Sequence, residues 1–420
     1  MTLARRTARK PDGTESAPPT AFERWLLRRM LEALGHPPYS LVLWNGETIS
    51  GSDAAPRARV ILRDRALLRE ILRSPDLAFG EGYSDGRLEL DGDLTAFIEC
   101  ASSGISRSPG WSRLLWRTLG WRPWLNTLRR SRSNVHRHYD LGNDFYALWL
   151  DERLVYTCAY FDSPASTLEE AQLAKLDHVC RKLRLRAGER VVETGCGWGA
   201  LALHMAEHYG VKVRAFNVSS EQTRFAREEA RRRGLEARVE FVEDDYRNAS
   251  GKFDAFVSIG MLEHVGRAYY RRFGRVIDRC LTTEGRGLLH FIGHTRAIPT
   301  SLWLDRYIFP GGYMPALSEM LPVLEPRNFE VVDVENLRRH YARTLEHWLE
   351  RFEKAAERIE AMYDARFVRM WRVYLASSLA AFRTGSIQLY QILFARAGGK
   401  GLPWTRQDIY AGRREGGGSL

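Results

Sequence analysis

The chain has 420 residues, more than a single domain usually holds, and 44% of them are hydrophobic, enough for a large core and a smaller companion. A formal net charge of +11 at pH 7 favours an acidic partner, nucleic acid or an anionic membrane surface, without choosing between them. Five cysteines (Cys100, Cys158, Cys180, Cys196, Cys280) without C-x-x-C spacing argue against a disulfide framework or zinc knuckle, and no leader-like or membrane-length apolar run is visible, which predicts a cytoplasmic protein.

Residues 1–21, rich in Arg, Thr, Pro and Ser, read as a flexible basic tail. Phe22, Trp25, Leu26, Met30 and Leu34 then recur at helical spacing beside Arg24, Arg28 and Arg29, predicting a helix packed on the domain that follows; a membrane-surface helix is the alternative. Short apolar segments (Leu41–Trp44, Val60–Leu62), a helical run from Ala66 to Leu72 and the segment Leu88–Asp93 complete a small α+β domain over 22–105. It carries no catalytic constellation, so binding or oligomerisation, a homodimer included, is its expected contribution.

Residues 106–134 interleave Trp111, Trp116, Trp121 and Trp124 with Arg107, Arg113, Arg117, Arg122, Arg129, Arg130 and Arg132. Such text suits an anionic phospholipid interface, single-stranded nucleic acid, or a linker whose indoles pack on both neighbours. His136 and His138 lack the cysteine or carboxylate cluster a metal site needs, and His204 and His208, at i and i+4, lack an accompanying Glu; no metal is expected.

The stretch Arg190–Val192 reads as the end of a buried strand, Glu193-Thr194-Gly195-Cys196-Gly197-Trp198-Gly199 as a turn, and Ala200–Ala206 as a helix. Dinucleotide enzymes use G-x-G-x-x-G; here an acid precedes three glycines at alternate positions. This arrangement resembles motif I of the S-adenosylmethionine methyltransferases. Further strands at 211–216, 239–242, 253–259 and 287–292, separated by helical text, predict a doubly wound parallel sheet whose ligands sit at the strands' carboxyl ends. Asn217 and Val218, Asp245 and Tyr246, and Gly260 to His264 follow those ends, with Gln222 near Asn217.

Over residues 135–396 the chain closely resembles the cyclopropane-fatty-acyl-phospholipid synthases and mycolic acid cyclopropane synthases. The matching text is His138–Tyr146, Tyr156–Phe161, motif I with Trp198, Gly260–Gly266, His290–Gly293, Tyr307–Gly312 and Ile387–Gln391. The resemblance implies a Rossmann-like class I methyltransferase domain over 135–400, a C-terminal tail over 401–420, and a lipid-associated N-terminal domain. It implies cofactor contacts at Tyr156, Thr157, Glu193, Gly195, Cys196, Gly197, Asn217, Val218, Gln222, Asp245 and Tyr246. It also implies a bicarbonate ion as base, held by Cys158, Glu263, His290, the main chain at Ile292, and Tyr341.

The implied reaction adds a methylene group from S-adenosylmethionine to a cis double bond of a phospholipid acyl chain, through a carbocation, by an enzyme peripheral to the inner membrane surface. C-methylation of lipid or small molecule without ring closure is the alternative. A nucleic-acid methyltransferase is disfavoured because Ser258-Ile259-Gly260-Met261 stands where amino-methylating enzymes resemble Asn-Pro-Pro-Tyr. The full set of site residues argues against an idle lipid-binding protein. Two departures stand out: Ser378 where many relatives carry cysteine, and Glu193 where the family usually has Asp.

Overall fold

The computed structural model describes residues 17–34, 37–53, 55–107, 141–399 and 404–410. Most of the expected basic tail, nearly all of the Trp/Arg segment and the His136/His138 pair lie outside the described residues. The chain divides into two compact units, one of Met1–Leu119, Ser301–Trp303 and Ala356–Ala380, the other of Gly120–Thr300, Leu304–Ala355 and Ala381–Leu420.

In the first unit, α1 (Ala21–Ala33) precedes β1 (Tyr39–Val42), β2 (Thr48–Ser50), β3 (Ala58–Leu62), α2 (Arg65–Arg73), α3 (Pro75–Ser84), β4 (Leu88–Asp91) and α4 (Leu94–Arg107). The strands form one sheet in the order β2-β1-β3-β4. Helix α1 exists as expected, but its buried face differs. Glu23, Leu27 and Leu31 are buried, whereas Phe22 and Trp25 are 66% and 52% exposed. Two forces turn the helix this way: Thr20 and Glu23 form a capping box, and Arg65 grips the Glu23 carboxylate through two hydrogen bonds of 2.8 Å.

The second unit is built on a seven-stranded sheet. Its elements include α5 (Leu168–Leu183), β5 (Arg190–Thr194), α6 (Ala200–Tyr209), β6 (Lys212–Asn217), α7 (Ser220–Arg232), β7 (Val239–Glu243), β8 (Phe253–Ile259), α8 (Tyr270–Cys280), β9 (Leu281–Gly293), β10 (Phe329–Asn336), α9 (Arg338–Lys354) and β11 (Gln388–Arg396). The order is β10-β11-β9-β8-β5-β6-β7, and β9 through β7 are parallel, as the βα alternation predicts. Strands β10 and β11 add antiparallel neighbours. Successive residues enter opposite layers: Val191, Leu288 and Leu393 pack with α5 and α6 residues, while Val192, Leu289 and Ile392 pack with Phe273 and Ile277 of α8.

Helix α5 is fastened at both ends. Thr167 and Glu170 form its capping box, and Arg351 of α9 holds Glu169 through two 2.8 Å bonds. At its C-terminus Arg286 of β9 donates to the Leu183 and Arg184 carbonyls and to Glu189. These ties set which α5 side chains point at the sheet's carboxyl edge.

Strand β9 also depends on a small residue. A Cβ at Gly287 would overlap the Phe394 ring on β11. Gly287→Ala is therefore expected to cost about 1–3 kcal/mol, read as a lower urea midpoint at unchanged m-value; an unshifted midpoint would show that Phe394 gives way freely.

Candidate active site

The glycine turn after β5 shapes the site. Gly195 and Gly197 take φ of +80° and +54°, which L side chains rarely adopt. A Cβ on Gly195 would press on Met261, whereas one on Gly197 would meet nothing within 4 Å, so that stretch of main chain is bare. The Gly195 and Cys196 amides donate to the Phe216 carbonyl at 2.9 and 3.2 Å, tying the turn to the end of β6.

A cleft opens over this turn, at the carboxyl ends of β5 to β8. Tyr156, Thr157, Glu193, Gly195, Cys196, Gly197, Asn217, Val218, Gln222, Asp245 and Tyr246 all line it. Asn217 Nδ2 donates to the Gly197 carbonyl at 3.0 Å and to Gln222 Oε1 at 2.9 Å, so the amide joins the turn to α7. Asp245 is gripped by Arg247, with both carboxylate oxygens 2.7 Å from guanidinium nitrogens. Among the described residues, Glu193 Oε2, Gln222 Nε2 and the Tyr246 hydroxyl are buried without a hydrogen-bond partner. Bare main chain and three orphaned polar groups fit a ligand that is part apolar ring and part polar amino acid, as S-adenosylmethionine is.

The five residues expected to do chemistry lie elsewhere and fall into two groups. Glu263, on the loop after β8, accepts the Ile292 amide proton through Oε1 at 2.6 Å. His290 lies two residues earlier on β9; its carbonyl accepts from the Gly260 amide at 2.9 Å, and its Nδ1 is 3.1 Å from Gln391 Nε2. Glu263 Oε2 and His290 Nε2 are buried without partners among the described residues. The second group is Cys158, whose Sγ lies 3.9 Å from the Leu337 carbonyl, and Tyr341, one helical turn beyond Leu337 on α9. Leu337 donates to the Leu389 carbonyl and Leu389 pairs with Ile292, so the two groups are linked through β11. The Ile292 amide is committed to Glu263.

Burial governs the ionisation of these groups. It raises the Glu263 carboxyl to about 7 despite the Ile292 amide, and pushes the Cys158 thiol well up, keeping it S–H. It drives His290 well below its usual range, with Lys175 and Lys182 adding to the effect. Glu193 is raised by burial, against the pull of Lys175, and Lys175 is lowered by the same desolvation.

A family model described as mycolic acid cyclopropane synthetase matches residues 126–392. The chain belongs to this family. A second model, a domain of unknown function (DUF7884), matches residues 26–105. The chain is 38% identical over 364 residues to the cyclopropane-fatty-acyl-phospholipid synthase of Escherichia coli, covering 86% of this chain and 93% of the relative. It is 36% identical over 393 residues to a Pseudomonas putida protein named "Probable fatty acid methyltransferase", covering 89% and 97%. The mycolic acid cyclopropane synthase CmaA1, solved in complex with SAH and CTAB, superposes with a TM-score of 0.60 at 30% identity, over 63% of this chain and 98% of that one. This cyclopropane synthetase family member is thus an S-adenosylmethionine-dependent methyltransferase with the class I fold.

The strand-end rule had picked out the segment that carries Met261 and His264, but sequence reasoning passed over other residues that line the cleft, among them Lys175, Leu176 and Phe216. Lys175 left a readable signal. Gln172, Lys175 and Lys182 sit at helical spacing with Leu168, Ala171 and Val179, so polar residues occupy the buried face of α5. Ser378 lies half-buried on the helix Ala365–Thr384.

A raised carboxyl pKa makes a stability prediction. Between pH 4.5 and about 7 the unfolded chain releases the Glu263 proton while the folded chain retains it, so folding stability falls with rising pH. Relative to wild type, Glu263→Gln should gain on the order of 3 kcal/mol between pH 4.5 and 8. Urea titrations of both proteins across that range check this, and a difference independent of pH would contradict it.

Proposed function

We propose that this protein transfers a methylene group from S-adenosylmethionine to a cis double bond of a phospholipid acyl chain and closes a cyclopropane ring. The observation that carries this reading is the pair of buried, unpartnered atoms Glu263 Oε2 and His290 Nε2, behind a loop whose other members, Gly260, Met261, His264 and Val265, line the cleft. The names of the Escherichia coli and Pseudomonas putida relatives, a fatty-acyl-phospholipid synthase and a probable fatty acid methyltransferase, support a fatty-acyl lipid as acceptor.

The chemistry requires both parts. The alkene attacks the sulfonium methyl carbon, the carbon–sulfur bond breaks toward sulfur, and a carbocation remains. A proton must then leave the new methyl group, its C–H electron pair forming the last ring bond, before water traps the cation. Tyr146, Trp149, Tyr156 and Trp348 form a continuous aromatic cluster that reaches Tyr341, with neighbouring ring centroids 5.2–5.8 Å apart, suited to excluding water along that path.

The residues fit a small anion that both accepts and donates hydrogen bonds. With Gln391 donating to Nδ1, neutral His290 carries its proton on Nε2 and can donate it. Glu263 can accept from a hydroxyl, and the Cys158 thiol, held protonated, can donate weakly. Cys158, Glu263, His290, Tyr341 and the main chain at Ile292 would hold bicarbonate, which when bound supplies the oxygen base. Glu263 acts in this scheme as a positioning residue. Among the described residues no helix is long and apolar enough to cross a membrane; the basic Trp/Arg stretch at 106–134 is the sequence feature suited to attachment at an anionic bilayer.

Purified protein incubated with S-adenosylmethionine and cis-unsaturated phospholipid vesicles should yield acyl chains heavier by one methylene, by mass spectrometry, and saturated vesicles should yield none. Cofactor binding without any lipid product would overturn the reading. Glu263→Gln should keep its calorimetric affinity for S-adenosylmethionine while turnover falls about 100-fold or more. Equal loss of both would contradict a positioning role.

A further inference from the structure

Lys175 is buried on α5 and lines the cleft. Among the described residues its ammonium makes one hydrogen bond, to Thr157 Oγ1 at 3.0 Å, and meets no carboxylate at ion-pair distance. The nearby Asp151 carboxylate is occupied by the Arg153 and Val155 amides at 3.1 and 2.8 Å. Glu193, on the same cleft wall, leaves Oε2 unpartnered. A buried acid and a buried base share one cleft without pairing with each other, although desolvation favours either pairing or neutralisation.

We propose that Lys175, acting with Thr157, recognises the α-carboxylate of the methionine end of S-adenosylmethionine, while Glu193 faces its α-ammonium group. The inference rests on reading the cleft as the cofactor site. A lysine ammonium only donates, so Thr157 Oγ1 must be the acceptor of their bond, and its own hydroxyl proton is left to donate elsewhere. The hydroxyl and the two remaining ammonium protons then form a donor set for one carboxylate. Gln172 Nε2 donates to the carbonyls of Val155 and Thr157 at 3.2 and 2.9 Å and fixes the peptide that carries this hydroxyl. A phosphate would satisfy Lys175 but would be repelled by Glu193. A zwitterionic amino acid satisfies both, and neither charge then remains buried alone.

The test compares binding of S-adenosylmethionine and its decarboxylated analogue by calorimetry, using the full chain. Wild type should bind the analogue about 10- to 100-fold more weakly. Lys175→Met and Thr157→Val should each weaken S-adenosylmethionine binding and bring that ratio toward unity, with Lys175→Arg between them and wild type. Equal affinity of wild type for both compounds would overturn the assignment, without any variant having to fold. So would a full wild-type ratio retained in folded Lys175→Met. Failure of wild type to bind S-adenosylmethionine at all would instead overturn the cofactor reading itself, and this inference with it.

Discussion

Lys175, Glu193, Glu263 and His290 are all withdrawn from water near the carboxyl edge of one sheet, and this shared desolvation is the constraint on which the rest of the structure depends. Burying an ionisable group costs several kcal/mol unless it is paired or neutralised. Here neutralisation dominates: burial raises the two carboxyls and lowers the lysine and the histidine. The two apolar layers that flank the sheet offset that cost. The polar edge can persist because Val191, Val192, Leu288 and Leu289, a few residues back along the same strands, are almost wholly buried.

In the proposed mechanism the same edge would separate two jobs. The loop after β8 presents Gly260, Met261, His264 and Val265 to the cleft and sends Glu263 to the Ile292 amide on β9. Methyl donation needs a site shaped around a bulky sulfonium compound, and deprotonation of a cation needs a dry base nearby. In the proposed mechanism this one loop would serve both, with Glu263 turned away from the cleft that its neighbours line.

Much of this was legible in the chain. The acid and alternating glycines from Glu193 to Gly199 located the cleft because those residue types answer to backbone geometry. The strand-end rule picked out Asn217, Asp245 and Tyr246 because parallel strands present ligands at one edge. Other features were not legible for physical reasons. Helix α1 turned Phe22 and Trp25 outward because a long-range bond between Arg65 and Glu23, which periodicity cannot register, set its rotation. Lys175 was passed over because a lysine on a helix is read as surface unless its apolar neighbours are projected with it. Strands β10 and β11 escaped because antiparallel additions carry no βα rhythm. The bicarbonate set came only from family resemblance: Cys158, Glu263, His290 and Tyr341 are far apart in sequence and share no local pattern.

The central claim is that the cation formed by methyl transfer is quenched by loss of a proton from the transferred methyl group. The most direct test supplies S-adenosylmethionine bearing a trideuterated methyl group, with cis-unsaturated phospholipid vesicles, and follows deuterium in the product by mass spectrometry and NMR. The account predicts a saturated cyclopropane carbon retaining two of the three deuterons. An open chain retaining all three would contradict ring closure and show that the cation is quenched elsewhere.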